Sequence, residues 1–511
     1  QGFLPDAQHI LLLGRGKGNW VRQILEDVRW ELNRLIRSEF PSPARDVLLA
    51  LTVGQSGGLD PQVREAFSTL GLSHVLAISG LHFGLVALCV YWVSRRVLSL
   101  IPGFILRYPL DKVAWMLAVP VLLAYGGVAG MTPSVQRSLI MVLAIAAALF
   151  LDRVRRLDHS VALAALAILV LNPSSLFELS FQLSFLAVLG ILYGVPKAMA
   201  YLPKSDPWLG MRKAGALQLW WRRALVAALT TLSASLATMP LVVMRFHLVP
   251  FLGIPANLLG VPLMGWLILP TALAGGLLYL IWANGGMAVL WVAAWMADWA
   301  VRLLLWAASV GGVLYLPSPR PWEIGAFYAI CAGLCCLGKA RWVRWATLGL
   351  ALTLPALWGY EWAVKLRDQT LRVHFMAVGN GNSVLVEGPG GESFLLDGGG
   401  NLEGRPDVGA MLVAPVLWEK RIMSLNRVVL SHPHPDHMGG IPFILRAFRI
   451  TDGIWDNGHR PNEPRYLEFL KTARALGWQP RALCSGETWS MGSVRVEVLH
   501  PPCSGLSLKS K

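Results

Sequence analysis

Polar and apolar positions along the chain fall into three regimes. In residues 20–40, Val21, Ile24, Leu25, Val28, Leu32, Leu35 and Ile36 recur at spacings of three and four, with Arg, Glu and Asp between them. That period predicts an amphipathic helix, packed on a domain or lying on a membrane surface. Asp60-Pro61 predicts the start of a further short helix, with Asp60 as N-cap and Pro61 in the first turn. From 75 to about 360 the pattern becomes a series of apolar runs, at about 75–93, 113–130, 138–151, 160–171, 179–195, 224–244, 251–283, 286–309, 323–338 and 345–360. Several reach the roughly 17–20 residues that cross a bilayer core. The 160–171 run ends at Asn172-Pro173. The 251–283 run holds Pro255, Pro262 and Pro270 among glycines. It predicts a broken or re-entrant helix, a candidate pore or cavity wall, with a kinked span packed by its neighbours as the alternative. Beyond 371 the period drops to two. Residues 371–377, 383–387, 393–397 and 427–430 read as strands, with turns at 379–382 and 388–391.

Composition agrees with the middle regime. Of 511 residues, 55% are hydrophobic and only 15% charged, against about 25% charged in ordinary soluble proteins. A disordered chain is excluded, and a wholly soluble enzyme is disfavoured. The 22 Trp fit interfacial aromatic belts. The net charge of +15 is unevenly placed. Loop 95–112 holds Arg95, Arg96, Arg107 and Lys112, loop 152–159 holds Arg153, Arg155 and Arg156, and loop 196–223 holds Lys197, Lys204, Arg212, Lys213, Arg222 and Arg223. The alternate loops hold only Arg137 and Arg245. Positively charged loops stay in the cytoplasm, so the N-terminal region is expected outside. Lys339, Arg341 and Arg344 repeat the signal and put the C-terminal region on the same outer side. The six Cys suggest no disulfide framework. Cys89, Cys331, Cys335 and Cys336 read as small buried hydrophobes, and Cys484 and Cys503 lack a ligand-like spacing. The chain starts at Gln1 and is expected to be a fragment.

The sharpest chemistry lies in Ser431-His432-Pro433-His434-Pro435-Asp436-His437-Met438-Gly439-Gly440, directly after a strand. His432 and His434 are two apart on an extended segment, so one metal can hold both. Asp436 and His437 turn toward a second position. The two prolines stiffen the loop. Imidazole with carboxylate suits Zn, Mn or Fe. Two such ions can activate water and clamp both oxygens of a phosphodiester displacement, which makes Asp436 the candidate catalytic residue. The plain alternative is a His-rich surface loop, which four ligand-type residues within six positions argue against. Polar residues inside apolar runs are the second set of suspects: His74, Ser79, His82, Arg137 and Gln182, with Glu178 at the border. They predict either interhelical hydrogen bonds or a water-filled path where Arg137 and the two His meet phosphates. Gly14-Arg15-Gly16-Lys17-Gly18 lacks the spacing of an ATP-binding phosphate loop, so a motor would come from a partner.

The 432–437 motif resembles the H-x-H-x-D-H signature of the metallo-β-lactamase superfamily, and 394–400, Phe-Leu-Leu-Asp-Gly-Gly-Gly, is similar to that fold's first motif. The resemblance implies that Asp397 supports the metal loop, and it implies hydrolysis without naming a substrate. Upstream, 72–84 (Leu-Ser-His-Val-Leu-Ala-Ile-Ser-Gly-Leu-His-Phe-Gly), Thr132-Pro133-Ser134 through Arg137, Asn172-Pro173, Phe177 to Val188, Leu236 to Pro240 and Ala256-Asn257 to Pro262 resemble the ComEC/Rec2 DNA-uptake channel family. Gly379-Asn-Gly-Asn382 is similar to its Gly-Gln-Gly-Asp turn, with Asn380 and Asn382 in place of the usual Gln and Asp. The resemblance implies a polytopic α-helical membrane domain plus a C-terminal α/β metallo-β-lactamase-like domain, αββα and truncated. Its parts are 1–70, a soluble or interfacial remnant of an oligonucleotide-binding-like domain with possible last strands around His9 to Leu13; 71–362, the transmembrane domain; and 370–511, the hydrolase-like domain. It implies single-stranded DNA and the lipid bilayer as partners, a cytoplasmic ATP-driven motor and an outer DNA receptor, and an inner (plasma) membrane location. Two divalent ions, Zn or Mn, are the implied cofactors. The family's later bridging Asp and last His are expected beyond about 505, so the two-metal site is expected to be incomplete here, and His500 reads as part of a turn. A small-solute transporter with a structural outer domain, and a membrane-anchored metallohydrolase of another substrate, remain the alternatives.

Overall fold

The computed structural model describes residues 19–502 apart from 106, 152–156, 202–215, 337–339, 380 and 401–406. The possible strands around His9, the Gly14–Gly18 stretch, Asn380, Cys503, and the cations Arg153, Arg155, Arg156, Lys204, Arg212, Lys213 and Lys339 lie outside the described residues.

The amphipathic period becomes helix Trp20–Glu39, opened by Asn19, whose side chain accepts from the Val21 amide. Its C-terminal half buries Leu32, Leu35 and Ile36, each contributing about 1.5–3 kcal/mol by leaving water. Trp20, Val21 and Ile24 stay exposed. Asp60 caps helix Pro61–Thr69 by accepting from the Gln62 amide, as its position before Pro61 predicts. These helices share one apolar core with Ile268, Leu269, Leu290, Ala297 and Val301 from two much later helices.

Seven described helices are long and apolar enough to cross a membrane: Gly80–Leu98, Leu110–Val128, Pro133–Phe150, Leu179–Ala200, Trp220–Phe246, Gly253–Tyr279 and Ala283–Val310. In Ala283–Val310, Ala293, Ala297, Ala300 and Leu304 are buried while Trp291, Trp295, Trp299 and Trp306 point outward. Small residues inside permit close helix contact, and apolar residues outside suit lipid. Cys89 is exposed on its helix rather than buried, because it belongs to such an outward face.

The proline-rich run is not broken. Its backbone is helical from Gly253 to Tyr279, with a π-helical stretch at Pro262–Ile268. Pro262 begins the wide turns and Pro270 lies in the first turn of the α-helix that follows. Pro255 lies in the true first turn, where a missing N–H breaks no ladder hydrogen bond, and the π-helical stretch lies between the other two. The stretch is therefore one helix, 27 residues long and apolar enough to span, and not a broken one.

Contacts divide the chain into two compact units, Gln1–Thr238 with Pro250–Val313, and Met239–Val249 with Leu314–Lys511. Within the second, a six-stranded mixed sheet is built from β1 (Arg372–Phe375), β2 (Val384–Glu387), β3 (Ser393–Leu396), β4 (Ser424–Val429), β5 (Arg449–Asp456) and β6 (Arg481–Ala482), in that spatial order. The first three pair antiparallel and the rest parallel. A hairpin of β7 (Thr488–Met491) and β8 (Val494–Glu497) follows. Alternation sorts the faces. Leu385, Leu395, Val428 and Ile454 pack with helical Leu417, Ile444 and Phe469. Phe394, Leu396 and Val429 pack with Met491 and Trp489 of the hairpin. Tyr466 is buried on the helical side and donates its hydroxyl to buried Asp456 at 3.1 Å. Arg421, in the left-handed region at φ 58°, pairs with Glu323 of helix Pro321–Cys336 and with Glu361 of helix Arg341–Arg367.

Other cysteines depart from the sequence reading as well: Cys331 and Cys336 are half-buried rather than buried, and Cys484 is disulfide-bonded.

Candidate functional site

The histidine loop leaves the C-terminal end of β4 and runs into the short helix Pro435–Met438. Ligand sites on parallel strands lie at this end, where loops leave the sheet. The loop is held from two sides. The amide of Gly398, just after β3, donates to the His437 carbonyl at 2.6 Å. On the other side, the Asn382 amide donates to the Asp436 carbonyl at 3.3 Å. Gly381, at φ 109°, lies so near that an added Cβ would meet the Asp436 carbonyl oxygen at 1.8 Å. Only glycine fits this turn.

Asp397 organises the polar groups. It is 2% exposed and sits at φ 59°, a left-handed conformation that Asp tolerates better than most residues. Its carboxylate accepts from the Ser431 amide at 2.7 Å, from the Ser431 hydroxyl at 2.7 Å and from His437 Nδ1 at 2.7 Å. The bond to Nδ1 leaves His437 Nε2 free. A carboxylate on one ring nitrogen is how metal-binding histidines are commonly oriented. Ser431 Oγ also lies 3.0 Å from His432 Nδ1. Burial lowers the pKa of His432, and the neighbouring His437 adds to the effect. The neutral imidazole is the form that binds metal.

The four motif side chains come together unevenly. The rings of His432 and His437 are 4.1 Å apart by centroid, and those of His432 and His434 are 5.2 Å apart. Asp436 lies between the others, with Oδ2 3.5 Å from His437 Nε2 and Oδ1 3.7 Å from His434 Nδ1. The side chains of His434 and Asp436 are 70% and 47% exposed, open to a ligand. Among the described residues no group of three or more His, Cys, Asp or Glu side chains is placed to hold a metal ion. The donor chemistry nonetheless fits a divalent ion. Two imidazoles have an orienting partner on Nδ1, and a half-exposed carboxylate lies beside them. His500 is exposed, near the end of the described chain.

The polar residues of the helical unit are arranged differently. Ser79 caps helix Gly80–Leu98 and its amide donates to His82 Nδ1 at 3.2 Å. His82 is fully buried, and its Nε2 has no partner. His74 is exposed, with Nδ1 3.2 Å from the Gly71 carbonyl. Arg137 is 5% exposed and pairs with Glu178 at 3.0 Å. Gln182 donates to the Leu176 carbonyl at 2.9 Å. The hydrogen-bonding alternative accounts for Arg137 and Gln182, and His82 Nε2 is the polar atom left over. Sequence reading missed the partnership of Glu178 with Arg137 and the bridging role of Ser431. A lone carboxylate at the edge of an apolar run was the available signal for the first. A hydroxyl adjoining the first His was the signal for the second.

The competence-protein family model matches residues 51–342, and the metallo-β-lactamase superfamily model matches residues 376–505. The chain is 26% identical over 479 residues to ComE operon protein 3 of Bacillus subtilis, covering 91% of this chain and 57% of that protein. It is 28% identical over 467 residues to Competence protein ComA of Neisseria gonorrhoeae, covering 89% and 58%. It is 24% identical over 471 residues to Recombination protein 2 of Haemophilus influenzae, covering 85% and 56%. The chain thus spans a little over half the length of the curated relatives it matches. No solved structure matches it.

Proposed function

The chain belongs to the competence-protein family and carries a metallo-β-lactamase domain, and from that premise we propose that it takes up DNA across a cell membrane. It is a multi-pass membrane protein, with seven described helices fit to span. In our reading it sits in the inner (plasma) membrane, and one DNA strand passes through the helical region while the C-terminal domain hydrolyses the other strand. An ATP-driven motor and an outer DNA receptor are partners supplied by the cell. The competence-family match over 51–342 carries the uptake half of the reading.

The Asp397 network supports the hydrolytic half. We assign His432 and His434 to one divalent ion, and Asp436 and His437 to a second. A bound divalent ion polarises a phosphoryl oxygen and acidifies water. Asp397 holds His437 in the tautomer that exposes Nε2, and Ser431 ties His432 to the same carboxylate. Asp436 presents a half-exposed carboxylate beside His434 and His437, where it can orient or deprotonate the attacking water.

Two features support placing the C-terminal domain outside the cytoplasm. The positive loops alternate along the sequence. Cys484 is disulfide-bonded, and disulfides persist in oxidising compartments.

The decisive assay gives the full-length protein single- and double-stranded DNA with Mn or Zn, using His434→Ala as control. We expect metal-dependent cleavage that falls at least about a hundredfold in the variant, in keeping with loss of a metal ligand. Absence of cleavage removes the hydrolase, and absence of metal binding favours a transporter with a structural outer domain. Unimpaired DNA uptake by cells lacking the gene removes the channel.

A further inference from the structure

The helical unit contains a cavity of about 660 Å³ between helix Trp220–Phe246 and the helix that carries the π-helical stretch. Val226, Ala227, Val261, Pro262 and Trp266 line it. Two of its polar side chains bond within their own helices. Thr230 donates to the Val226 carbonyl at 2.7 Å, and Asn257 donates to the Gly253 carbonyl at 2.7 Å. The walls therefore present mainly hydrocarbon. At one end stand Arg222 and Arg223, both exposed. Neither makes an ion pair among the described residues, in contrast to Arg137 with Glu178 and Arg302 with Asp298. Trp220 and Trp221 adjoin them and are exposed, as suits the boundary between hydrocarbon and headgroups. The place thus combines an unpaired double cation at interface depth with an apolar trough leading away from it. The π-helical stretch, a feature often found at functional sites, forms one wall.

We propose that this cavity is a binding site for an anionic phospholipid, with the phosphate held by Arg222 and Arg223 and an acyl chain lying along Val226, Val261, Pro262 and Trp266. A polynucleotide fits less well. It carries one phosphate per nucleotide, while this cavity concentrates cations at one end and offers hydrocarbon elsewhere. The site rests only on the chain being embedded in a membrane, so its failure leaves the hydrolase reading untouched.

Native mass spectrometry of the whole protein in detergent tests the proposal, with phosphatidylglycerol and phosphatidylcholine titrated separately. Phosphatidylglycerol is expected to bind about tenfold or more tightly, the preference two arginines near a lipid surface can give. Arg222→Gln with Arg223→Gln should abolish that preference. Arg222→Lys with Arg223→Lys should retain most of it, and serves as the folded reference if the Gln pair is unstable. Ala227→Trp fills the trough with the arginines intact and should weaken both lipids. Equal binding of the two lipids by the unaltered protein overturns the proposal. So does inorganic phosphate competing as well as phosphatidylglycerol, which would make the site a headgroup pocket without a chain groove. Displacement of the lipid by a single-stranded oligonucleotide, lost in the Gln pair, would assign the cavity to the DNA path instead.

Discussion

The Asp397 and Arg137 clusters are both built on a buried charge, and they end differently. Asp397 collects three donors, and the cluster around it still offers open atoms: His437 Nε2 and the exposed side chains of His434 and Asp436. Arg137 meets one carboxylate, Glu178, through a single bond from Nη1 at 3.0 Å that joins segments 41 positions apart. A network that leaves outward-facing valences is suited to recruit a ligand. A single ion pair between two distant segments is suited to hold helices together. The type of residue does not separate the two cases, since both are buried charged groups, but the partners each one gathers do.

The most damaging change should be Asp397→Ala. It strands the Ser431 amide and His437 Nδ1, and puts Ala at a positive φ. We expect the C-terminal domain to lose about 3–4 kcal/mol, read by pulse proteolysis in urea. Asp397→Asn keeps the shape and drops the charge, so divalent-metal affinity should fall about 10–100-fold. Unchanged affinity would erase the contrast between the two clusters. Glu178→Gln comes next. It leaves the Arg137 guanidinium buried without its anion, at about 1–2 kcal/mol once the partial exposure of Glu178 is allowed for. Replacing both by Met should restore stability. If that double variant is stable yet fails in DNA uptake, Arg137 serves the path and the contrast breaks. Tyr466→Phe is smaller, about 1 kcal/mol from one lost hydrogen bond to Asp456. It should leave metal affinity untouched, separating domain stability from the site. Asp60→Ala, the loss of one cap, should cost the helical unit about 1 kcal/mol or less with uptake unchanged.

What could be read from the sequence was local. The period of 20–40, the Asp60 cap, the four strands ahead of the motif and the histidine loop all depend on neighbours within a turn or a strand. The kind of fold was legible too, because apolar runs and alternating strands report directly on their surroundings. The pairings were not. Glu178 meets Arg137 across 41 positions and Arg421 meets Glu323 across 98, and no periodicity links such residues. The π-helical stretch was not foreseen because three prolines in a window suggest a break, while the helix carries one in its first turn and the other two on either side of its widened turns. The disulfide at Cys484 was hidden because spacing alone does not show which thiols meet.

Gly381 also bears on how similar chains should be sorted. With 1.8 Å between its would-be Cβ and the Asp436 backbone, any side chain there would push the histidine loop off its seat even with every ligand intact. A chain that kept all three histidines but carried a larger residue at this turn would display the signature while lacking the geometry. A screen for working copies of this site should therefore inspect that one small residue before it counts imidazoles.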